Sequence, residues 1–242
     1  MVRNYPDCNR RGVYIKMSKK IFIVIAAYNE EKSIVKVIKN LKSHGYKNIV
    51  IVDDGSSDQT YNLIDKQGVF ALKHPINRGQ GASLKTGIDF ALLKGADIIV
   101  TFDADGQHHA EDIKKLVDPV LKGKCDAALG SRFLRKDSNT PPIRKILIRV
   151  GILVVWFLYG MKLTDSHNGF RALSRFAAQK IDITSDRMEH ASQIVEEINK
   201  NKIKYKEIPV TITYTDYSKQ KGQSNFNSVK IGLRMLFRKL MN

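Results

Sequence analysis

Short apolar runs and longer amphipathic stretches alternate along the first half of the chain. Ile21 to Ala26, Ile49 to Val52, Val69 to Leu72, Ile98 to Phe102 and Ala127 to Leu129 are dominated by Ile, Val and Ala. Such runs are too short for core helices and read as strands, covered on both faces where no polar position interrupts them. Between them, apolar residues recur at the helical period: Ile34, Ile38 and Leu41; Leu84, Ile88, Ala91 and Leu92; Ile113, Leu116, Val117, Val120 and Leu121. Pro119 falls inside the last group, where a helix ordinarily kinks or ends. Strands that alternate with helices predict an α/β fold, a mostly parallel, Rossmann-like sheet flanked by helices.

After Arg132 the pattern changes. Asp137 to Pro142 reads as a polar, proline-ended loop, and Ile143 to Met161 as an apolar helix with Arg144, Lys145 and Arg149 near its start. Its uncharged apolar run, Val150 to Met161, is short of the roughly 20 residues a spanning helix needs. Met188, Ala191, Ile194, Val195 and Ile198 share one face of a further helix, and Tyr205 to Tyr214 reads as a strand pair. The last helix sets Val229, Leu233, Leu236, Phe237 and Leu240 on one side and Lys230, Arg234 and Arg238 on another, an amphipathic arrangement. The expected organisation is a disordered extension over 1–19, one catalytic domain over 20–226 and a basic C-terminal helix over 227–242.

Composition narrows the partners. A formal charge of +17 on 242 residues implies an anionic partner: nucleic acid, an anionic membrane, or phosphorylated substrates. Cys8 and Cys125 are far apart, so neither a disulfide framework nor a thiolate metal site is expected, and a reducing, cytoplasmic setting fits. Met1 to Lys20 lacks the apolar core of a signal peptide.

The strand ends carry the chemistry, because ligands of open α/β sheets gather beyond the carboxyl ends of the strands. The first strand runs into Tyr28-Asn29-Glu30, the second into Asp53-Asp54-Gly55-Ser56 and the fourth into Asp103-Ala104-Asp105-Gly106-Gln107. Two carboxylates at i and i+2 just past a strand suit one hard cation, Mg²⁺ or Mn²⁺, which keeps part of its shell for substrate phosphates. Gln107 adds a neutral oxygen. An Asp-x-Asp is also a common capping tripeptide, and its placement after Ile98-Ile99-Val100 favours the metal. Asp53 and Asp54 offer acceptors for the N–H groups of a nucleobase, although glycine-turn and capping roles explain Gly55, Ser57 and Asp58. Asn77-Arg78-Gly79-Gln80-Gly81 opens a helix and presents N–H groups and a cation where a diphosphate can sit.

Ala27-Tyr28-Asn29-Glu30-Glu31, Val52-Asp53-Asp54-Gly55-Ser56-Ser57-Asp58, Asn77-Arg78-Gly79-Gln80-Gly81-Ala82, Asp103-Ala104-Asp105-Gly106-Gln107-His108 and Gly130-Ser131-Arg132 come one after another in this order. In this the chain resembles family 2 glycosyltransferases with the GT-A fold, and within them the branch that makes dolichyl-phosphate or polyprenyl-phosphate sugars. The resemblance implies that Ala27, Tyr28, Glu30, Asp53, Asp54, Arg78, Asp103 and Ala104 hold the donor nucleotide. It gives Asp103, Asp105 and Gln107 to the metal. Ser131, Arg132, Arg144, Lys219 and Lys221 are expected on the acceptor and phosphate side, with the segment Asn168-Gly169-Phe170-Arg171, and the basic loop Lys219 to Ser224 is expected to close over the phosphates. Asp105, Arg132 and Arg144 are the expected catalytic residues. Ala27 stands where the family usually has proline, and His108-His109 where His-Pro is commoner; helix capping or solvent exposure is expected of that pair, ahead of metal binding.

The activity implied by the resemblance is an inverting transfer from a nucleoside-diphosphate sugar, UDP- or GDP-linked, with a polyprenyl phosphate as expected acceptor at the inner face of a membrane. A phosphate attacks without a base, whereas a sugar or protein hydroxyl needs one, and Glu189 is then the candidate, ahead of Asp186. Basic residues, the amphipathic final helix and the apolar helix from Ile143 would bind an anionic surface, the alternative being core packing of those helices with a solvated basic face. Nucleic-acid binding is the reading from another class; it rests on charge alone, without a matching motif, so no nucleic acid is expected. A nucleotidyltransferase of the same architecture would release pyrophosphate instead of a nucleoside diphosphate.

Overall fold

The computed structural model describes residues 19–135, 142–166 and 168–214. The 1–18 extension, most of the polar loop before Pro142, the basic loop with Lys219 and Lys221, and the final helix lie outside the described residues.

Among the described residues seven strands form one sheet in the order β3-β2-β1-β4-β6-β5-β7. β1 (Ile21–Ala27), β2 (Ile49–Asp53), β3 (Phe70–Lys73) and β4 (Ile98–Asp103) are mutually parallel. The apolar runs are strands because both faces are covered. Ile23, Ile25 and Ala27 enter a core with Ile34, Ile38 and Leu41 of α1 (Ile34–Ser43) and Ile113, Leu116 and Val117 of α4 (Glu111–Leu121). Phe22 and Val24 enter the opposite core, with Leu84 and Ile88 of α3 (Gln80–Leu93). The small α2 (Thr60–Asp65) lies between β2 and β3. Pro119 is accommodated within α4, two residues from its end.

β5 (Ala127–Ser131) is where the second half differs from a simple parallel extension. β6 (Arg171–Ser174), which the hydrophobic pattern does not announce, inserts antiparallel between β4 and β5. The expected strand pair over Tyr205 to Tyr214 is instead the single strand β7 (Tyr205–Pro209), parallel to β5, followed by an isolated bridge from Ile212 to His108. The chain past Pro209 finds its partners in the loop after β4: Thr211 N–H donates to Asp112 and Thr213 N–H to the Gln107 carbonyl. Those bonds replace a hairpin.

α5 (Pro142–Tyr159), α6 (Arg175–Lys180) and α7 (His190–Lys200) are the remaining helices among the described residues. Val155 of α5, Ala177 of α6 and Ile194, Val195 and Ile198 of α7 join the same core as α3. Among the described residues no helix is long and apolar enough to cross a membrane.

Candidate active site

β2, β1 and β4 are adjacent and parallel, so their carboxyl ends open on one edge of the sheet. The two loops after β1 and β2 are tied together. Asn29, in the left-handed region at φ 53°, donates its N–H to Ser56 Oγ and accepts the Ser57 N–H on its side chain. Asparagine tolerates this backbone better than most residues. Glu30 N–H donates to Thr60 Oγ1 at 2.7 Å.

The third loop is clamped onto the second by Asp54. One carboxylate oxygen receives His74 Nδ1–H at 2.8 Å and the Arg78 N–H at 3.1 Å; the other receives the Gly79 N–H at 2.6 Å. A Cβ on Gly55, at φ +69°, would meet the Ile76 carbonyl carbon at 2.6 Å, so only glycine permits this approach. Further on, the Asp186 carbonyl accepts the Ala82 N–H at the start of α3, and Cβ atoms on Gly79 or Gly81 would strike the backbone of residues 185–187. Arg78 sends its guanidinium to Asp186, at 3.3 Å and half-exposed.

These loops enclose a cavity of about 320 Å³ lined by Ala27, Tyr28, Glu30, Asp54, Gln80, Asp103, Ala104, Asp105, Gln107 and Met188, among others. Eight residues marked out by the sequence for nucleotide or metal therefore share one pocket, while Asp53, Arg78, Ser131, Arg132 and Glu189 are not among those lining it. Asp53 is fully buried; its Oδ2 accepts the Ser56 N–H, and its Oδ1 has no partner. An orphaned buried carboxylate oxygen is costly, and this one is closed off from the cavity.

Asp103 and Asp105 sit where β4 ends. Burial first, then the neighbouring Asp103, push the Asp105 carboxyl up to about 6, against a bond from the Gln107 N–H that works the other way. Crowded, dehydrated carboxylates of this kind suit a divalent cation, whose charge removes the repulsion. Among the described residues no group of three or more His, Cys, Asp or Glu is placed to hold a metal by itself. The pair with Gln107 instead matches a hard cation that takes one or two carboxylates and completes its shell with water and substrate phosphate.

Gln80, Gly169 and His108, expected from the sequence in the diphosphate loop, on the acceptor side and at a capping or exposed position, instead lie against Asp103. Gln80 Nε2 reaches one carboxylate oxygen at 3.3 Å, and a Cβ on Gly169 would come within 3.3 Å of it. His108 is buried, contrary to the expected capping or exposure. Its Nδ1 accepts the Asp103 backbone N–H at 3.1 Å, which leaves the ring hydrogen on Nε2, facing the Asp103 carboxylate at 3.2 Å. Burial lowers its pKa to about 4, so the ring is neutral, stacked on Phe170 with centroids 4.6 Å apart. His109 instead bonds Thr213 Oγ1. The signal in the sequence was the unusual His-His after Gln107, but its partner Phe170 lies on β6's approach and only the fold brings it there.

On the other side of β6, Arg132 is buried. Its Nε donates to Asp165 at 2.6 Å and its Nη1 to the Tyr214 hydroxyl. Burial alone would lower its pKa, but Asp165 and Tyr214 outweigh that and hold it above the usual value. Ser131 Oγ meets Thr164 Oγ1 at 2.7 Å, and Glu207 accepts the N–H groups of Thr164 and Asp165. Arg171 donates to the Asn168 and Ala191 carbonyls and joins β6 to α7. The side chain of Arg144, with Lys219 and Lys221, lies outside the described residues. Glu189 occupies the N-cap of α7, next to the pocket-lining Met188.

A family model described as "Glycosyl transferase family 2" matches residues 22–182, from β1 through α6. The chain belongs to glycosyl transferase family 2. This glycosyltransferase is 38% identical to the UDP-N-acetylglucosamine–dolichyl-phosphate N-acetylglucosaminyltransferase of Methanococcus voltae, over 92% of this chain and 96% of that one. It is 29% identical to the polyprenol monophosphomannose synthase of Mycolicibacterium smegmatis, over 71% and 68% of the two chains. Among solved structures, glucosyl-3-phosphoglycerate synthase of Mycobacterium tuberculosis, crystallised with Mn²⁺, UDP and glucosyl-3-phosphoglycerate, superimposes with a TM-score of 0.71 at 16% identity. That superposition covers 97% of this chain and 85% of that one, and it shows the GT-A fold.

Proposed function

We propose that the enzyme transfers a sugar, with inversion, from a nucleoside-diphosphate sugar to a polyprenyl, dolichyl-type phosphate at a membrane surface, with Mg²⁺ or Mn²⁺ as cofactor. The observation that carries the donor half is the acidic pocket at the ends of β1, β2 and β4, where Asp103 and Asp105 crowd each other beside Gln107. The acceptor half is supported by the relative named for transfer to dolichyl phosphate, which is alike over nearly all of both chains.

In this reading Asp53 and Asp54 serve the nucleoside end in different ways. Asp53, buried behind the cavity lining, meets a base N–H only when the loop after β2 shifts to uncover its unpartnered oxygen, and Asp54 holds the loop that places Arg78 and the N-terminus of α3 near the phosphates. Asp103, Asp105 and Gln107 hold the cation. When bound it supplies Lewis-acid neutralisation of the leaving diphosphate. The acceptor phosphate oxygen forms the new bond to the anomeric carbon as the bond to the donor phosphate breaks on the opposite face, and the nucleoside diphosphate departs with the electron pair. Ser131, Arg132, Arg144, Lys219 and Lys221 orient the acceptor anion. Already ionised near neutral pH, it has no proton to give up.

The test is a panel of UDP- and GDP-sugars, UDP-N-acetylglucosamine first, with Mg²⁺ or Mn²⁺ and a detergent-solubilised polyprenyl phosphate. A lipid-linked sugar and free nucleoside diphosphate are expected, lost in Asp105→Asn and on chelation. Pyrophosphate as product would overturn the reaction class. Transfer that requires a hydroxyl acceptor and disappears in Glu189→Gln would move the acceptor to the hydroxyl reading, since Glu189 stands beside the pocket residue Met188.

A further inference from the structure

The segment between α6 and α7 is pressed onto the first turn of α3. The Asp186 carbonyl accepts the Ala82 N–H at 3.0 Å, and a Cβ on Gly79 would stand 2.5 Å from that carbonyl oxygen and 2.9 Å from Arg187 Cγ. A Cβ on Gly81 would strike the Ser185 carbonyl. α7 fixes the segment from the other side. Gln193 Oε1 accepts the N–H groups of Thr184 and Ser185, at 3.1 and 2.8 Å, and His190 Nδ1–H donates to the Arg187 carbonyl at 2.7 Å. Arg187 is thus anchored with its stem across Gly79, which lines the cavity, and it precedes Met188, which lines it too.

The cavity is short of positive charge. Glu30, Asp54, Asp103 and Asp105 line it, and among the described residues no Lys or Arg does. A diphosphate adds a further anion, and one divalent cation at Asp103 and Asp105 offsets only part of the sum. Arg78 is the cation the sequence points to, but its guanidinium is paired with Asp186 at 3.3 Å, and such a pair presents little net charge to a third group. Arg187 is exposed, and among the described residues its guanidinium makes no hydrogen bond or ion pair. Its stem is held while its head is unspent. A guanidinium fork meets phosphate oxygens with two parallel N–H bonds, and an anchored stem loses less freedom when they form.

We propose that Arg187 binds the donor diphosphate through its guanidinium, while Asp186 commits Arg78 to tying the loop after β3 to the segment before α7. The inference rests on the donor half of the proposed function. Neighbours in the chain, Asp186 and Arg187 then divide two tasks: the carboxylate secures the loop and the guanidinium takes the anion. Gly79 and Gly81 serve both, since any side chain there would lift the segment off α3 and carry Arg187 away from the cavity.

Binding is measured by calorimetry on the full chain with Mn²⁺, for UDP and GDP directly and for uridine and guanosine by displacement. Arg187→Gln is expected to weaken the diphosphate that binds by about ten- to a hundredfold, the worth of one charge-assisted contact, and to leave its nucleoside unchanged. Arg187→Lys recovers part of the loss, because the charge returns without the fork. Asp186→Asn releases Arg78 and is expected to bind the diphosphate at least as tightly as the wild type. Diphosphate affinity unchanged in Arg187→Gln overturns the inference alone. So does a loss shared equally by the nucleoside, which marks a displaced segment instead of a lost contact, or a loss confined to Asp186→Asn, which returns the anion to the Arg78 pair. Wild-type protein that binds neither UDP nor GDP defeats the donor reading itself, and the inference with it.

Discussion

Asp54→Asn asks whether this carboxylate holds the ligand or the loop. Its two oxygens accept from three donors: His74 and the Arg78 N–H on Oδ1, the Gly79 N–H on Oδ2. Asparagine has one oxygen. If that oxygen takes the Oδ1 position, the new NH₂ faces the Gly79 N–H; turned over, it faces the N–H of Arg78. In either orientation a backbone donor loses its acceptor and meets another donor. An unsatisfied buried N–H costs about 1–3 kcal/mol, and bonds to a charged acceptor, worth about 1.5–3 kcal/mol, fall to neutral strength. The loss of folding stability is therefore about 2 to 4 kcal/mol. Urea denaturation at pH 7 reads it as a midpoint lower by roughly 1–2 M at unchanged slope. A variant within about 0.5 kcal/mol of wild type that nonetheless fails to bind nucleotide would refute the reasoning and give Asp54 a direct role on the ligand.

His108→Phe keeps the stack on Phe170 but removes both contacts to Asp103, and Mn²⁺ affinity measured by calorimetry with nucleotide present is expected to fall by about ten- to a hundredfold, as for other outer-shell histidines; an unchanged affinity would show that Asp103 needs no such support. Gly87→Ala places a methyl 2.4 Å from Val24 Cγ1, forcing α3 off β1. Overpacking costs about 1–3 kcal/mol and exceeds the roughly 1 kcal/mol that alanine returns in helix propensity, so the melting temperature should drop by a few degrees rather than rise. His190 is buried, its pKa lowered from 6.5 to about 4 mainly by burial. Because the unfolded chain binds a proton there that the fold refuses, this residue's stabilisation is intact above pH 6.5 and declines toward pH 4, at up to about 1.4 kcal/mol per pH unit. His190→Asn should flatten the acid limb of the metal-free protein's stability curve; Asp105, shifted upward, contributes the opposite slope and remains in both proteins.

Strands β1 to β5, helices α1, α3 and α4, and the acidic strand ends were legible because each depends on local pattern: continuous apolar runs for strands covered on both sides, a 3.6-residue period for helices, and turn chemistry at the ends. The adjacency of Asp53-Asp54, Asp103-Asp105 and Gln107 to one another was legible too, since parallel strands leave their carboxyl ends on the same edge. What the chain order does not encode is which distant segment fills the gap beside β4. Arg171 to Ser174 carries too few residues and too weak a pattern to announce a strand, yet its insertion between β4 and β5 brings Gly169 against Asp103 and Phe170 under His108. The division of labour between Asp53 and Asp54 was equally hidden, because two neighbouring carboxylates look alike until the packing of the Arg78–Gly79 loop satisfies one and leaves an oxygen of the other bare. Sequence by itself determined the first five strands, most helices and the family of chemistry; tertiary structure decided which polar groups already spend their hydrogen bonds on the protein, because that accounting is made between residues dozens of positions apart.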